Sequence, residues 1–393
     1  MAKPAGALCN LACSYCYYLE KSQLYPTDGS PVMSEEILEL FVQQYIEAQT
    51  LPSVLFTWHG GEPLMRPISF YRRAIELQRR YACGRQINNC LQTNGTLLTD
   101  EWCAFLKDNR FLVGISIDGP YDYHDAMRRS SRGRSSWHDT MRGIRLLQKH
   151  GVEWNAMAVV SAANVGHPHE FYHFFRDIGC QYLQFTPVIE RIISRPDGLT
   201  LAPGMAEGGE IAPFSVTPSQ WGAFLCSVYD EWVRRDVGTL FVQLFDATLA
   251  NWAGVAPGIC SLAAECGHAS VMEYNGDVYS CDHFVFPEYR LGNIRQQTLT
   301  GMMYSNRQRA FGQSKSDSLP RQCRECRFLF ACHGECPRNR FVRDRYGNPG
   351  LNYLCPGYHQ YFTHVAADMD FMKAELDANR PPANIMRRYH SID

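Results

Sequence analysis

The chain has 393 residues, 45% of them hydrophobic, and carries 38 basic residues against 40 acidic ones. That length admits two or three domains with sizeable cores and excludes a disordered chain, while the near-neutral balance argues against nucleic acid or a membrane surface as principal partner. No stretch approaches the roughly eighteen apolar residues of a membrane span, and the opening MAKPAGALCN has no signal-peptide pattern, so a cytoplasmic protein is expected.

Three cysteines come first, Cys9, Cys13 and Cys16 in CNLACSYCYYLEK. Apolar runs then alternate with helical patterns. Strands are predicted at 54–58 (VLFTW), 87–92 (INNCLQ), 113–117 (VGISI), 154–160 (WNAMAVV) and 182–186 (YLQFT), each followed by a loop and a helical stretch. The helices fall at 34–48, 69–81, 99–107, 136–150 and 164–177, several opening on Ser, Thr or Asn as N-caps do. This alternation predicts an α/β fold with a parallel sheet or barrel, too short for eight units. Residues 194–218, rich in Gly and Pro, read as an exposed loop. Helices at 218–235 and 239–253 precede a cysteine-rich region, and a last helix is expected at 359–376. The domains are therefore set at 1–235 and 236–375, with a loosely held tail at 376–393.

Eight of the sixteen cysteines lie between Cys260 and Cys355. In a reducing compartment such clusters bind metal or do redox chemistry more often than they form disulfides. The isolated Cys83, Cys90, Cys103, Cys180 and Cys226 read as small buried hydrophobes. Zinc is the plain alternative at either cluster, but a structural zinc takes four protein ligands and the first segment offers three. A 4Fe-4S cluster on three thiolates keeps one iron open.

The C-x3-C-x2-C of Cys9, Cys13 and Cys16, with Tyr15 before the third, resembles the signature of the radical S-adenosylmethionine superfamily. WHGGEP, residues 58–63, is similar to that family's glycine and glutamate loop. The resemblance implies a partial parallel (β/α)6 barrel, a 4Fe-4S cluster whose open iron binds S-adenosylmethionine, and a cofactor site lined by Tyr15, Gly60, Gly61, Glu62, Ser116, Arg128 and Ile189. Arg128 has an alternative reading, a solvated basic loop shared with Arg129, Arg132 and Arg134. TNG at 93–95 and SIDGP at 116–120 end strands, where parallel barrels place functional groups.

The C-terminal cysteines resemble the SPASM extension of the superfamily, a cysteine-rich domain with two auxiliary 4Fe-4S clusters. By resemblance Cys260, Cys266, Cys281 and Cys336 hold the first and Cys323, Cys326, Cys332 and Cys355 the second, making three clusters in all. Fully ligated clusters suit electron transfer or structure. Together with SCDHFVFPEYRLGNI, residues 280–294, these motifs resemble anaerobic sulfatase-maturating enzymes. The resemblance implies oxidation of a cysteine or serine of a sulfatase precursor, in a C/S-x-P-x-R motif, to Cα-formylglycine after hydrogen abstraction from Cβ. It assigns Asp282 as the base and Tyr18 and His59 as peptide contacts, and it implies a low-potential electron donor such as a flavodoxin or ferredoxin. The competing expectations are a SPASM maturase that makes another modification in a ribosomal peptide, such as a thioether cross-link, and a non-catalytic iron-sulfur electron carrier.

Overall fold

The computed structural model describes all residues except 26–30, 194–199, 203, 205–207, 268 and 391–393. Its centre is a six-stranded sheet in the order β1-β2-β3-β4-β5-β8, formed by β1 (Ser53–Trp58), β2 (Gln86–Thr93), β3 (Phe111–Ser116), β4 (Trp154–Val160), β5 (Tyr182–Pro187) and β8 (Phe241–Val242). Every neighbouring pair is parallel. A short antiparallel pair, β6 (Arg191–Ile192) and β7 (Glu210–Ile211), stands apart from it. Parallel strands need crossovers, and helices supply them: α2 (Glu35–Glu47) comes before β1, followed by α3 (Ile68–Tyr81), α4 (Asp100–Asp108), α5 (Tyr121–Met127), α6 (Trp137–His150), α7 (Pro168–Asp177), α8 (Pro218–Arg235) and α9 (Gln243–Trp252), while a short α1 (Tyr17–Lys21) leaves the cysteine loop.

Local chemistry sets these boundaries. Ser34 and Thr99 cap α2 and α4 through their side-chain oxygens, and α8 opens on a capping box between Thr217 and Gln220. The C-cap of α6 is Gly151 in the left-handed conformation. Between helices and sheet, Phe56, Trp58, Tyr71 and Trp102 pack as largely edge-to-face rings in a continuous core.

Four expectations change. The sixth strand occupies the start of the helix predicted at 239–253, because Phe241 stacks on Tyr182 (ring centroids 5.2 Å apart) and Val242 is buried beside β5. The sheet therefore continues past residue 235. The tail is not loose as far as it is described. Ile385 is fully buried, Asn384 donates to Glu375 and Tyr389 to Asp368, while 391–393 lie outside the described residues. Of the isolated cysteines, Cys103 and Cys180 are buried as expected, but Cys83 is exposed on a turn. Much of the predicted loop at 194–218 lies outside the described residues, although Thr200 and Leu201 donate their backbone N–H groups to Glu20.

The second domain is built on the antiparallel strands β9 (Val271–Met272), β10 (Asp277–Tyr279) and β11 (Arg290–Asn293). Two contacts weld it to the barrel. The helix Cys355–Asp377 packs on α8, so closely that a Cβ on Gly357 would stand 2.2 Å from the Pro218 carbonyl oxygen. At the other end Ala2 bridges to both Trp58 and Met272, joining the two sheets through the N-terminus.

Candidate active site

The C-terminal ends of the strands carry the predicted site. The loop before Cys9 is pinned by the glycine motif, with Gly61 N donating to Gly6 O and Glu62 N to Leu8 O, both at 2.8 Å. A Cβ on Gly61 would meet that Leu8 oxygen at 2.2 Å. The glycine is thus required by the approach of the cysteine loop. Glu62 is fully buried; its carboxylate accepts from Leu64 N and Thr93 Oγ1 on one oxygen and from Asn94 N on the other. Burial raises its pKa. Asn94 reaches on to Asn10 (2.8 Å) and lies 3.8 Å from Cys9 Sγ, so the TNG turn ties the glutamate to the cysteine loop.

Beyond Cys9, Ala12 N and Ser14 N donate to the carbonyls of Arg129 and Met127. This backbone docking turns Arg128 inward. Its guanidinium donates to Tyr15 Oη at 2.7 Å, and that phenol donates to Asp118 Oδ2 at 2.6 Å. Arg128 is buried whereas Arg129, Arg132 and Arg134 are exposed, so it does not belong to a solvated basic loop. Ser116 accepts from Gln92 at 2.9 Å, and Ile189 is buried just past β5.

The thiols lie in three neighbourhoods. Cys9, Cys13 and Cys16 feel one another's charge. So do Cys260, Cys266, Cys281 and Cys336, and separately Cys323, Cys326, Cys332 and Cys355, which line a cavity of about 600 Å³. Burial pushes Cys9 up to about 12, Cys13 to about 11, and Cys281 and Cys355 to about 12. Thiols so hard to ionise become ligands when a metal takes the proton's place. Donor chemistry and grouping fit iron-sulfur clusters.

Asp282 follows Cys281 and opens a short 3-10 turn. Its Oδ1 lies 2.7 Å from Lys3 Nζ, and its Oδ2 accepts from Tyr17 Oη at 2.6 Å and from Tyr18 Oη. Burial alone would raise this carboxyl, but the cationic surroundings, Lys3 foremost, outweigh it and hold the pKa well below the carboxylate range. Lys21 donates to the Asp282 carbonyl at 3.1 Å, and burial lowers its pKa to about 7. His59 Nδ1 accepts from Gly60 N at 2.7 Å and sits 3.3 Å from Tyr18 Oη. The structure thus gathers Tyr18, His59 and Asp282, far apart in sequence, at one point beside the cysteine loop. Sequence reasoning missed Lys3, Tyr17 and Asp118. The doubled tyrosine after Cys16 was a signal for Tyr17, whereas nothing local marks Lys3.

The Radical SAM superfamily model matches residues 5–175 and an iron-sulfur cluster-binding domain, SPASM, matches 264–327. A serine-type anaerobic sulfatase-maturating enzyme of Bacteroides thetaiotaomicron is 62% identical over 98% of this chain and 94% of its own. A serine-type relative from Klebsiella aerogenes is 36% identical (96% and 87% covered), and a cysteine-type one from Clostridium perfringens 31% (93% and 95%). The solved structure of anSMEcpe with bound AdoMet and Cp18Cys peptide superposes with a TM-score of 0.83 at 29% identity, covering 95% of this chain and 98% of that one. Streptococcus suis SuiB, at 14% identity and a TM-score of 0.57 over 88% and 76%, shares the fold alone. Cysteine loop, glycine motif, second cysteine domain and these likenesses over nearly the whole length agree, and the chain belongs to the anaerobic sulfatase-maturating enzymes of the radical S-adenosylmethionine superfamily.

Proposed function

We propose that the protein oxidises a serine of a sulfatase precursor to Cα-formylglycine. The preference for serine is supported by the two relatives at 62% and 36% identity, both named serine-type, against 31% for a cysteine-type one. The observation that carries the reaction is the Asp282 carboxylate held at the cysteine loop by Lys3, Tyr17 and Tyr18.

Cys9, Cys13 and Cys16 hold the first 4Fe-4S cluster, and Tyr15, Gly60, Gly61, Glu62, Ser116, Arg128 and Ile189 surround S-adenosylmethionine. When bound, that pair supplies a 5'-deoxyadenosyl radical able to take a hydrogen atom from carbon. The eight later cysteines hold two clusters suited to electron transfer. The chain's own task is aim and proton handling. Asp282 takes the hydroxyl proton as the substrate's Cβ loses its hydrogen atom, because loss of hydrogen from carbon acidifies the adjacent O–H, and the one electron still to be lost for the aldehyde to form would leave to the clusters that the later cysteines would hold. Lys3 keeps the carboxylate in its ionised, proton-accepting form, and His59 and Tyr18 shape the wall against which the peptide lies. A low-potential carrier such as a flavodoxin or ferredoxin provides the reducing electron, in the cytoplasm; no helix among the described residues is long and apolar enough to cross a membrane.

The test is to incubate the anaerobically reconstituted, reduced protein with S-adenosylmethionine and peptides bearing S-x-P-x-R or C-x-P-x-R. Formylglycine synthesis appears as loss of two hydrogens from the serine peptide, coupled to 5'-deoxyadenosine. Asp282→Asn is expected to cleave S-adenosylmethionine while losing most aldehyde. Deoxyadenosine with no change in either peptide would move the reading to a different substrate.

A further inference from the structure

Asp282 has an accounting problem, and it concerns Tyr17. Each carboxylate oxygen offers about two lone-pair positions. Oδ1 has no measurable solvent exposure and faces Lys3, at 2.7 Å but without the alignment of a hydrogen bond. A substrate hydroxyl that reaches this carboxylate must therefore come to Oδ2. Both positions there are taken, by Tyr17 Oη and Tyr18 Oη. Each phenol has one proton. The His59 Nδ1 acceptor is already filled by Gly60 N–H, so the Tyr18 proton also goes to Asp282.

The two tyrosines differ in freedom. Tyr18 is buried at 7% exposure, with Lys3 Nζ 4.4 Å from its ring centre and the His59 ring beside it. Tyr17 is only half-buried. Its ring lies within reach of two cations, Lys21 Nζ at 4.5 Å and the Arg338 guanidinium at 5.1 Å, contacts loose enough in direction for a small tilt of the ring to carry its hydroxyl off Asp282 without losing them. If it leaves Asp282, its proton has another acceptor close by, Tyr18 Oη at 3.1 Å. Tyr17 can therefore yield without stranding a buried donor.

We propose that Tyr17 is a place-holder, whose hydroxyl occupies on Asp282 Oδ2 the position that the substrate's serine hydroxyl takes, and which swings to Tyr18 when the peptide binds. The inference rests on the reading of Asp282 as the base and adds how the substrate gains access to it. Tyr17 is a positioning residue here; no proton passes through it. The exchange also explains how a buried carboxylate stays hydrogen-bonded before and after binding, since an unsatisfied one is costly.

The experiment measures equilibrium binding of fluorescently labelled S-x-P-x-R peptide, and of the same peptide with alanine at the target serine. It uses the anaerobically reconstituted full chain with S-adenosylmethionine and no reductant. In the wild type the serine hydroxyl only replaces Tyr17, so the two peptides bind within about twofold of each other. In Tyr17→Phe the position is open, and the serine peptide binds about tenfold more tightly than the alanine peptide, as one hydrogen bond to a charged acceptor warrants. Tyr17→Leu, checked like Tyr17→Phe for unchanged iron content, gives the same preference, because the missing hydroxyl is what matters. A tenfold serine preference already present in the wild type, or none in either variant, overturns the place-holder. Asp282→Asn separates the two readings. If it still forms formylglycine, the base assignment falls and takes this inference with it; if it is inactive while the Tyr17 variants show no preference, the place-holder alone falls.

Discussion

Lys3 Nζ and Asp282 Oδ1 lie 2.7 Å apart, so the start of the chain reaches the residue that follows a cysteine of the second domain. The same ammonium donates to Glu273 at 2.7 Å, and its side chain is only 2% exposed. Burial works against the cation, but Asp282 and Glu273 outweigh it and raise its pKa. The pair forms because Ala2 bridges to Trp58 and Met272 at once, which fixes Lys3 at the seam between the two sheets.

Removing that cation leaves two carboxylates without their partner in the interior. Lys3→Met is expected to lower stability by about 3–5 kcal/mol and to reduce aldehyde formation at least about tenfold while 5'-deoxyadenosine release continues. Lys3→Arg should recover part of both. Thermal denaturation together with the ratio of deoxyadenosine to formylglycine checks this; an unchanged ratio would remove Lys3 from the proton chemistry.

Gly61→Ala tests why the glycine motif exists. With the Leu8 oxygen 2.2 Å from the new Cβ, the loop before Cys9 must move. Iron content after reconstitution should fall by about a third, the share of one cluster in three, while the two clusters of the second domain persist in the spectrum. Full iron content with normal turnover would show that the loop tolerates the shift.

The interleaved cysteine sets predict a pattern of additivity. Cys281→Ala and Cys336→Ala belong to one neighbourhood, so combining them should cost no more iron than either alone. Cys336→Ala combined with Cys332→Ala breaks two clusters, and iron should fall to about a third of the wild-type content. Iron analysis and Mössbauer spectroscopy of the single and double variants decide the pairing.

Asp246 lines a cavity of about 960 Å³ at the N-terminal ends of the strands, opposite the active site. Burial raises its pKa to about 6. A carboxyl raised above its unfolded value of about 3.9 favours the fold while protonated, so its contribution is complete below about pH 4 and is lost as pH rises through 6. Asp246→Asn should therefore be more stable than the wild type at neutral pH, by about 1–2 kcal/mol once partial exposure is allowed for. The difference should shrink at pH 4. Melting curves across that range measure it, and equal shifts at both ends would mean that the effect is not ionisation.

What the sequence by itself determined was local. Cysteine spacing, strand and helix alternation and the WHGGEP loop are short-range patterns, and they were enough for the parallel α/β fold, the three groups of thiols and the family. The five barrel strands predicted lie within a few residues of their positions because each is a short run closed by a turn, apolar in most and alternating in INNCLQ. Phe241–Val242 was missed because two residues carry no periodicity and become a strand only by pairing with β5. The buried place of Arg128 depended on the cysteine loop docking against residues 127–129, which no spacing within an arginine-rich loop announces. Tertiary structure alone decided how Asp282 is held. Lys3, Tyr17 and Tyr18 reach it from the far side of the chain, and charge placed by long-range packing leaves no trace in the neighbouring sequence.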